Sequence, residues 1–258
     1  MAPGNIPTYE VDPRWLSIDL LSDVHLCADM PRTFDVWARH LLETPADAVL
    51  MLGDLFELWV GDDTRHEGFE RECADVLRAA SARRTLAFMP GNRDFLVGQD
   101  MLEHCGVRGL TDPTVLSAWG RRFLLTHGDA LCLADQAYQR FRTQVRDPAW
   151  QQRFLAQPLS QRQSQARAMR QASEAHQSGM SPDLSTDVDE AAAVAWLQAA
   201  DATVMVHGHT HRPAVHALPD GSVRHVMGDW DLDGREPRAR ALRLTADGLQ
   251  TLDLAEPQ

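Results

Sequence analysis

The chain has 258 residues, enough for one large domain or two small ones around a substantial buried core. Hydrophobic residues make up 44% and charged residues 24%, and all 25 basic residues are arginines, which excludes Schiff-base chemistry on lysine and a Walker A phosphate loop. A net charge of -12 argues against sequence-independent nucleic-acid binding by the molecule as a whole.

No apolar run approaches the roughly 20 residues of a bilayer span. Residues 1–15 carry three prolines and no apolar stretch, so a secretory signal is not expected there. Cys27, Cys73, Cys105 and Cys132 form no C-x-x-C pair and read as reduced, buried thiols of a cytosolic protein.

In chain order, residues 18–23 form an apolar run ending in a polar cluster, followed by helical periodicity over 32–43. The pattern repeats as a run at 48–54, a helix at 69–83 and a run at 85–92, which predicts β-α-β units with a largely parallel core. Residues 114–125 read as a hairpin turning at Trp119-Gly120, with a further run at 122–127. The last site-bearing run is 202–209. The stretches 223–227, 239–244 and 249–254, the last two flanking Asp247-Gly248, read as a meander in a second, mixed or antiparallel sheet.

Residues 133–181 differ from the rest. Arg140, Arg142, Arg146, Arg153, Arg162, Arg167 and Arg170 face one acid, Asp147, between 138 and 173, a local charge of +6 within a chain of -12. Phe141, Val145, Trp150, Phe154, Leu155 and Leu159 recur at near-helical spacing. A helical hairpin with a solvated arginine face is one reading. A cap over an active site, touching an anionic surface or substrate, is the other and the preferred one. The chain then divides into a core, 1–132 with 182–258, and an inserted helical lid, 133–181.

The polar clusters at the ends of the runs are Asp23-x-His25, Gly53-Asp54, Gly91-Asn92, His127-Gly128 and His207-Gly-His209-Thr-His211. Each alone is common. Together they stand where open α/β sheets converge side chains on one crevice. Asp23, His25, Asp54, Asn92, His127, His209 and His211 supply seven oxygen and nitrogen donors and no thiolate. That is too many for one tetrahedral zinc and suits two ions sharing a carboxylate, with water activated for attack at phosphorus. His207 and His225 read as core or surface hydrogen-bonding residues.

This ordered set resembles the calcineurin-like metallophosphoesterases, whose pattern is D-x-H, G-D, G-N-[HR]-[ED], H and G-H-x-H. The strings at 53–63, 91–98, 135–142, 206–216 and 227–230 are similar to the UDP-2,3-diacylglucosamine diphosphatase branch of that family. The resemblance implies a four-layer α/β/β/α sandwich with a helical lid. It implies two Mn²⁺ ions, one on Asp23, His25, Asp54 and His211, the other on Asp54, Asn92, His127 and His209, with Asp54 bridging. It further implies hydrolysis of UDP-2,3-diacylglucosamine to UMP and 2,3-diacylglucosamine 1-phosphate in lipid A biosynthesis, by attack of bound hydroxide on the α-phosphorus, at the cytosolic face of the inner membrane; the sequence leaves the oligomeric state open, with a monomer favoured. Asn92 and Arg93 would be catalytic, and Asn92, Arg93, Asp135, Tyr138, Arg170, Ser173, Gln177 and His209 would contact substrate. The branch commonly carries a lysine near the end of the lid, where this chain has Gly179-Met180-Ser181-Pro182-Asp183, and the spacing to Asp187-Val188 is shifted.

Arg93 favours a pyrophosphate on chemical grounds. Guanidinium cannot act as a general acid at neutral pH, and a phosphate leaving group needs no proton; arginine can bind the developing charge bidentately. The alternative is that Arg93 pairs with Asp94. The competing functions are another dimetal phosphodiesterase or nucleotide pyrophosphatase, and a catalytically silent module that uses the same fold for binding.

Overall fold

The computed structural model of the chain describes residues 4–178 and 187–255, with the side chains of 171–178 outside that description. Strands β2 (Ile18–Leu21), β3 (Ala48–Met51) and β4 (Thr85–Phe88) form where the sequence has its apolar runs, and they pair in parallel with one another. Period-2 alternation sends their residues to two different cores. Ile18, Leu20, Ala48, Leu50 and Ala87 enter the space between two sheets, whereas Leu21, Val49, Met51, Leu86 and Phe88 meet helices on the outer face.

Those helices are α1 (Pro31–Glu43), α2 (Gly68–Ser81) and α3 (Gln99–Cys105). Trp37, Leu41, Cys73, Leu77 and Met101 are their buried face. The short β5 (Val107–Gly109) completes one edge of this sheet, and β11 (Arg240–Thr245) with β12 (Gly248–Asp253) the other, in the order β12-β11-β2-β3-β4-β5.

The second sheet also has six strands. Its order is β1-β6-β7-β8-β10-β9, from β1 (Thr8–Glu10), β6 (Thr114–Ala118), β7 (Arg121–Leu125), β8 (Val204–His207), β9 (Ala214–Ala217) and β10 (Val223–Val226). Leu116, Phe123, Leu125 and Val206 face the other sheet, and Val115, Leu124 and Met205 pack on Trp196 and Leu197 of α7 (Glu190–Ala199). The layers are therefore helix, sheet, sheet, helix. The β6–β7 hairpin turns at Trp119 (φ 49°) and Gly120 (φ 73°), both left-handed as a two-residue hairpin turn demands.

Two expectations change. The core is parallel over β2–β5 and the second sheet is mixed, as expected, but the five site-bearing strands are split between the sheets, β2–β4 in one and β7 and β8 in the other. The expected tail meander is not one sheet. β10 pairs with β8 and β9, while β11 and β12 pair with each other beside β2, so the chain crosses between sheets through 227–239. That crossing is pinned by the Trp230 N–H on Asp23 O at 3.0 Å.

Between β7 and α7 lie α4 (Gln136–Val145), α5 (Pro148–Leu155) and α6 (Leu159–Ser178). Asp135 caps α4 through the Tyr138 N–H, and Asp147 caps α5 through the Trp150 N–H with Pro148 in the first turn, each bond 2.8 Å. The solvated arginine face is only partly present. Arg142 reaches Asp129, Arg146 the Gly91 carbonyl, Arg162 the Asp63 carboxylate and Val60 carbonyl, and Arg170 Glu57. Arg140, Arg153 and Arg167 are the exposed remainder. Trp150 stacks on Phe154 at 5.0 Å and leans on Phe95 at 6.3 Å, and Phe154 is buried, so these two rings fasten the helices down. Leu155 and Leu159 face outward.

At the far end of the first sheet, buried Asp19 receives Arg243 on both oxygens (2.8 and 2.9 Å), Thr44 Oγ1 (2.6 Å) and His40 Nε2 (3.1 Å). Burial alone would raise its pKa, yet these donors outweigh it and hold the carboxyl well below the usual range. A depressed folded-state pKa adds stability above about pH 4 that is lost as pH falls toward the folded value. Asp19→Asn is expected to cost about 3 kcal/mol at neutral pH, at the low end for a broken buried pair because Arg243 is partly solvated. Urea unfolding at pH 7 and pH 3.5 checks it, and the difference between variant and parent should narrow in acid.

Candidate metal centre

The polar clusters sit where the strands end, and the backbone there is bent sharply. Asp23, His25, Asp54, His209 and His211 all lie in the left-handed region, at φ 54°, 53°, 52°, 66° and 53°. Non-glycine residues in this region are uncommon and gather at functional sites. The loops hold one another: Asp23 N–H donates to Gly53 O at 3.1 Å, His25 N–H to Asp54 O at 3.0 Å, and His209 N–H to the Asp23 carboxylate at 3.0 Å.

Two groups of donor atoms result, Asp23 with His25 and His211, and Asp23 with Asp54 and His127. His211 Nε2 is 3.3 Å from Asp23 Oδ1 and 3.2 Å from His25 Nε2. His127 Nε2 is 3.6 Å from Asp54 Oδ1, and His25 Nε2 is 4.0 Å from Asp54 Oδ2. Both carboxylates thus stand between the two groups. Asn92 Oδ1 joins the second side, 2.9 Å from His127 Nε2 and 2.8 Å from His209 Nδ1. Asp23 and His127 are fully buried, whereas the His211 side chain is 38% exposed and marks the mouth.

The far ring nitrogens are committed in the way metal-ligating imidazoles require. His127 Nδ1 is hydrogen-bonded to Leu52 O at 3.0 Å and His25 Nδ1 stands 2.8 Å from Glu57 Oε2 in a charge contact without hydrogen-bond alignment, and each Nε2 faces the centre. Burial lowers the pKa of His127, but Asp54, Asp23 and further carboxylates outweigh it and push it up to about 9. His209 is pushed down to about 4 by burial and by His127. A pocket with this charge balance calls for cations, and the mixed carboxylate, amide and imidazole donors fit divalent first-row ions.

Arg93 does not pair with Asp94. The buried Asp94 carboxylate accepts backbone N–H groups from Leu55 (2.7 Å) and Gly91 (2.8 Å), tying the two ligand loops together. The Arg93 backbone N–H donates to Asp54 Oδ1 at 2.8 Å, and its guanidinium lies 3.9 Å from Glu57. Tyr138 stacks on His209 at 5.9 Å while its hydroxyl donates to Asp129 at 2.6 Å, so the phenol is committed to the protein. Asp135 is the α4 cap. Arg170 reaches the centre's edge through Glu57. Ser173 and Gln177 lie on α6 with side chains outside the described residues, and residues 179–183 are outside the described residues altogether. His207 is buried, with Nδ1 2.8 Å from Gly208 O and Nε2 3.2 Å from Arg224, a structural arrangement; His225 stands on β10 opposite Val206.

Sequence reasoning missed Glu57, Asp129 and Asp229. Asp229 Oδ2 is 3.9 Å from His211 Nδ1 and is held by Arg238. The signal for Glu57 is a lone carboxylate inside Leu55-Phe-Glu-Leu-Trp59, and for Asp129 an acid directly after His127-Gly128. Gly208 allows the closest approach: a Cβ there would overlap Ser22 Oγ and Asp23 Oδ2. Gly208→Ala is expected to fold but to displace Asp23, weakening Mn²⁺ binding by at least roughly 10–100-fold in a calorimetric titration.

The family model for calcineurin-like phosphoesterases matches residues 16–213. A protein of Stenotrophomonas maltophilia (strain R551-3) named UDP-2,3-diacylglucosamine hydrolase is 43% identical over 241 residues, covering 89% of this chain and 97% of the relative. Bordetella pertussis (strain Tohama I) has one of the same name, 41% identical over 255 residues and covering 95% and 96%. The chain therefore belongs to the calcineurin-like phosphoesterase family, in the branch whose curated members bear that name.

Proposed function

We propose that the chain hydrolyses the pyrophosphate bond of UDP-2,3-diacylglucosamine, giving UMP and 2,3-diacylglucosamine 1-phosphate for lipid A biosynthesis. The observation that carries it is the convergence of the seven donors at one mouth, in a chain whose relatives carry that substrate in their names. Asp23, His25, Asp54 and His211 would hold one ion and Asp54, Asn92, His127 and His209 the other, with Mn²⁺ suited to these donors. When bound, two such ions acidify water and neutralise charge on phosphate oxygens.

The protein's own part is placement and charge. Water, losing one proton to solvent, adds its oxygen to the α-phosphorus, the bond to the bridging oxygen breaks, and the sugar 1-phosphate departs without needing a proton. Arg93 receives the charge developing on that phosphate, and its backbone bond to Asp54 keeps it in register with the ligand carboxylate. Residues 133–181 serve as the lid. Its Asp135, Tyr138, Arg170, Ser173 and Gln177 form the substrate side, with Tyr138 working chiefly through His209. Exposed Phe141, Leu155 and Leu159 suit acyl chains or the membrane surface, and exposed Arg140, Arg153 and Arg167 suit anionic headgroups at the cytosolic face of the inner membrane. No described helix is long and apolar enough to cross a membrane. A monomer contains every residue of this arrangement.

The test is UMP release from UDP-2,3-diacylglucosamine with Mn²⁺, with and without chelator, against the deacylated analogue. Chelator-sensitive release that favours the acylated substrate is expected. Equal rates on both would remove the lipid, and no release from either would remove the pyrophosphatase.

A further inference from the structure

We propose that Glu57 is a positioning residue that fixes His25 with one carboxylate oxygen and gathers Arg93 and Arg170 with the other. Glu57 directly follows the Gly53-Asp54 turn, and its backbone N–H donates to Leu26 O at 3.1 Å. Beside it, Leu26 and Phe56 form an isolated bridge. The loop that carries Glu57 is thereby locked to the loop that carries Asp23 and His25. Its side chain is 13% exposed, too buried for a solvated surface acid.

The two oxygens face different partners. Oε2 lies 2.8 Å from His25 Nδ1, while Oε1 lies 3.1 Å from Arg170 Nη1 and 3.9 Å from Arg93 Nη1. A carboxylate oxygen 2.8 Å from Nδ1, a close charge contact rather than an aligned hydrogen bond, favours the tautomer with hydrogen on that nitrogen, so His25 presents the lone pair of Nε2 towards Asp23, Asp54 and His211. The guanidiniums come from separate elements, Arg93 from the loop after β4 and Arg170 from α6. One carboxylate therefore sets the spacing between a ligand imidazole and two cationic groups placed to meet a diphosphate. Glu57 touches neither metal nor substrate in this assignment; it acts through the three residues around it.

The proposal rests on the pyrophosphatase reading for its arginine half alone, and its test separates the two. Metal-free parent, Glu57→Gln, Glu57→Ala, Glu57→Asp and Arg170→Met are titrated with Mn²⁺ by electron paramagnetic resonance, then assayed on UDP-2,3-diacylglucosamine. Glu57→Ala is expected to weaken one of two Mn²⁺ sites by roughly 10–100-fold. Glu57→Gln keeps an oxygen acceptor for Nδ1–H but no charge, so it should hold Mn²⁺ within about threefold of the parent while KM rises several-fold. Arg170→Met should raise KM with Mn²⁺ affinity unchanged. Parent-like Mn²⁺ affinity in Glu57→Ala overturns the proposal; if alanine does not fold, parent-like Mn²⁺ affinity and KM in Glu57→Asp do so. A parent that binds Mn²⁺ but ignores the nucleotide lipid, with the alanine effect on Mn²⁺ intact, overturns the substrate and not the role of Glu57 towards His25.

Discussion

Asp54→Asn is expected to fold normally and to lose hydrolysis by about 10³-fold or more. Changing the partners behind a ligand already costs roughly 10–100-fold, and Asp54, with Asp23, is one of two carboxylates within reach of both imidazole groups. Its fold should survive because asparagine fills the same volume and its oxygen still accepts the Arg93 N–H. The change also relieves a buried like-charge contact. Burial and the neighbouring Asp54 charge push the Asp94 carboxyl up to about 7, and a neutral residue at 54 removes the second of these. The metal-free variant should therefore melt no lower than the parent. Added Mn²⁺ should raise the midpoint of the parent and leave the variant nearly still, since only a protein that binds the ion in its native state is stabilised by it. Normal UMP release by Asp54→Asn would rule out a shared-carboxylate centre.

The second large effect lies in the anchor of α4. Arg142 inserts its guanidinium between two buried carboxylates, with Nε 2.8 Å from Asp129 and Nη2 3.5 Å from Asp112. Burial raises the Asp112 pKa and the Asp129 charge raises it further; at Asp129 burial also opposes ionisation, but Arg142 and other cations outweigh it and lower the value. Arg142→Met removes the cation between two buried acids, leaving Asp129 with the Tyr138 hydroxyl and Asp112 with Thr126 Oγ1 and the His127 N–H. The cost is expected at about 3 kcal/mol at neutral pH, moderated by Arg146, whose Nη2 stands 3.9 Å from Asp129. For a chain of this size that is roughly 6–12 °C in melting midpoint. The Asp129 contribution is fully present above its ordinary pKa of about 4 and fades below it, so the deficit should hold from pH 7 down to about pH 5 and shrink as pH falls below about 4. A loss below about 1 kcal/mol at pH 7 would show that the guanidinium is not what holds these carboxylates.

The parts of the fold legible in the sequence are those in which a buried strand ends in a ligand. Such a strand is apolar on both faces and stops at a polar turn, so run and motif reinforce each other, as at 48–54 and 202–209. Periodicity alone also marked the helices at 32–43 and 69–83 and the strands at 239–244 and 249–254, but some elements lacking both signals were not seen. The edge strand β9, Ala214–Ala217, is almost wholly exposed, and α7 is apolar around most of its circumference, so neither has the periodicity of a half-buried element. The sheet switch after β10 was illegible for another reason: pairing partners are long-range, and 223–227 has the same strand character whichever sheet it joins. At the site, the candidate donors were readable because chemistry restricts such positions to a few residue types. Glu57, Asp129 and Asp229 act on neighbours that only folding brings close, and the arginines of 138–173 gave no sign of which would turn inward.

The left-handed backbone at five donor positions shapes what sequence drift can do to this protein. Besides the residues already there, glycine and asparagine tolerate that conformation best, and neither replaces an imidazole or a carboxylate as a strong ligand. The replacements gentlest on the scaffold are therefore the ones that silence the chemistry. A descendant freed from selection for hydrolysis is one such exchange away from an inert but intact shell, with the mouth and the helices beside it preserved for some other use.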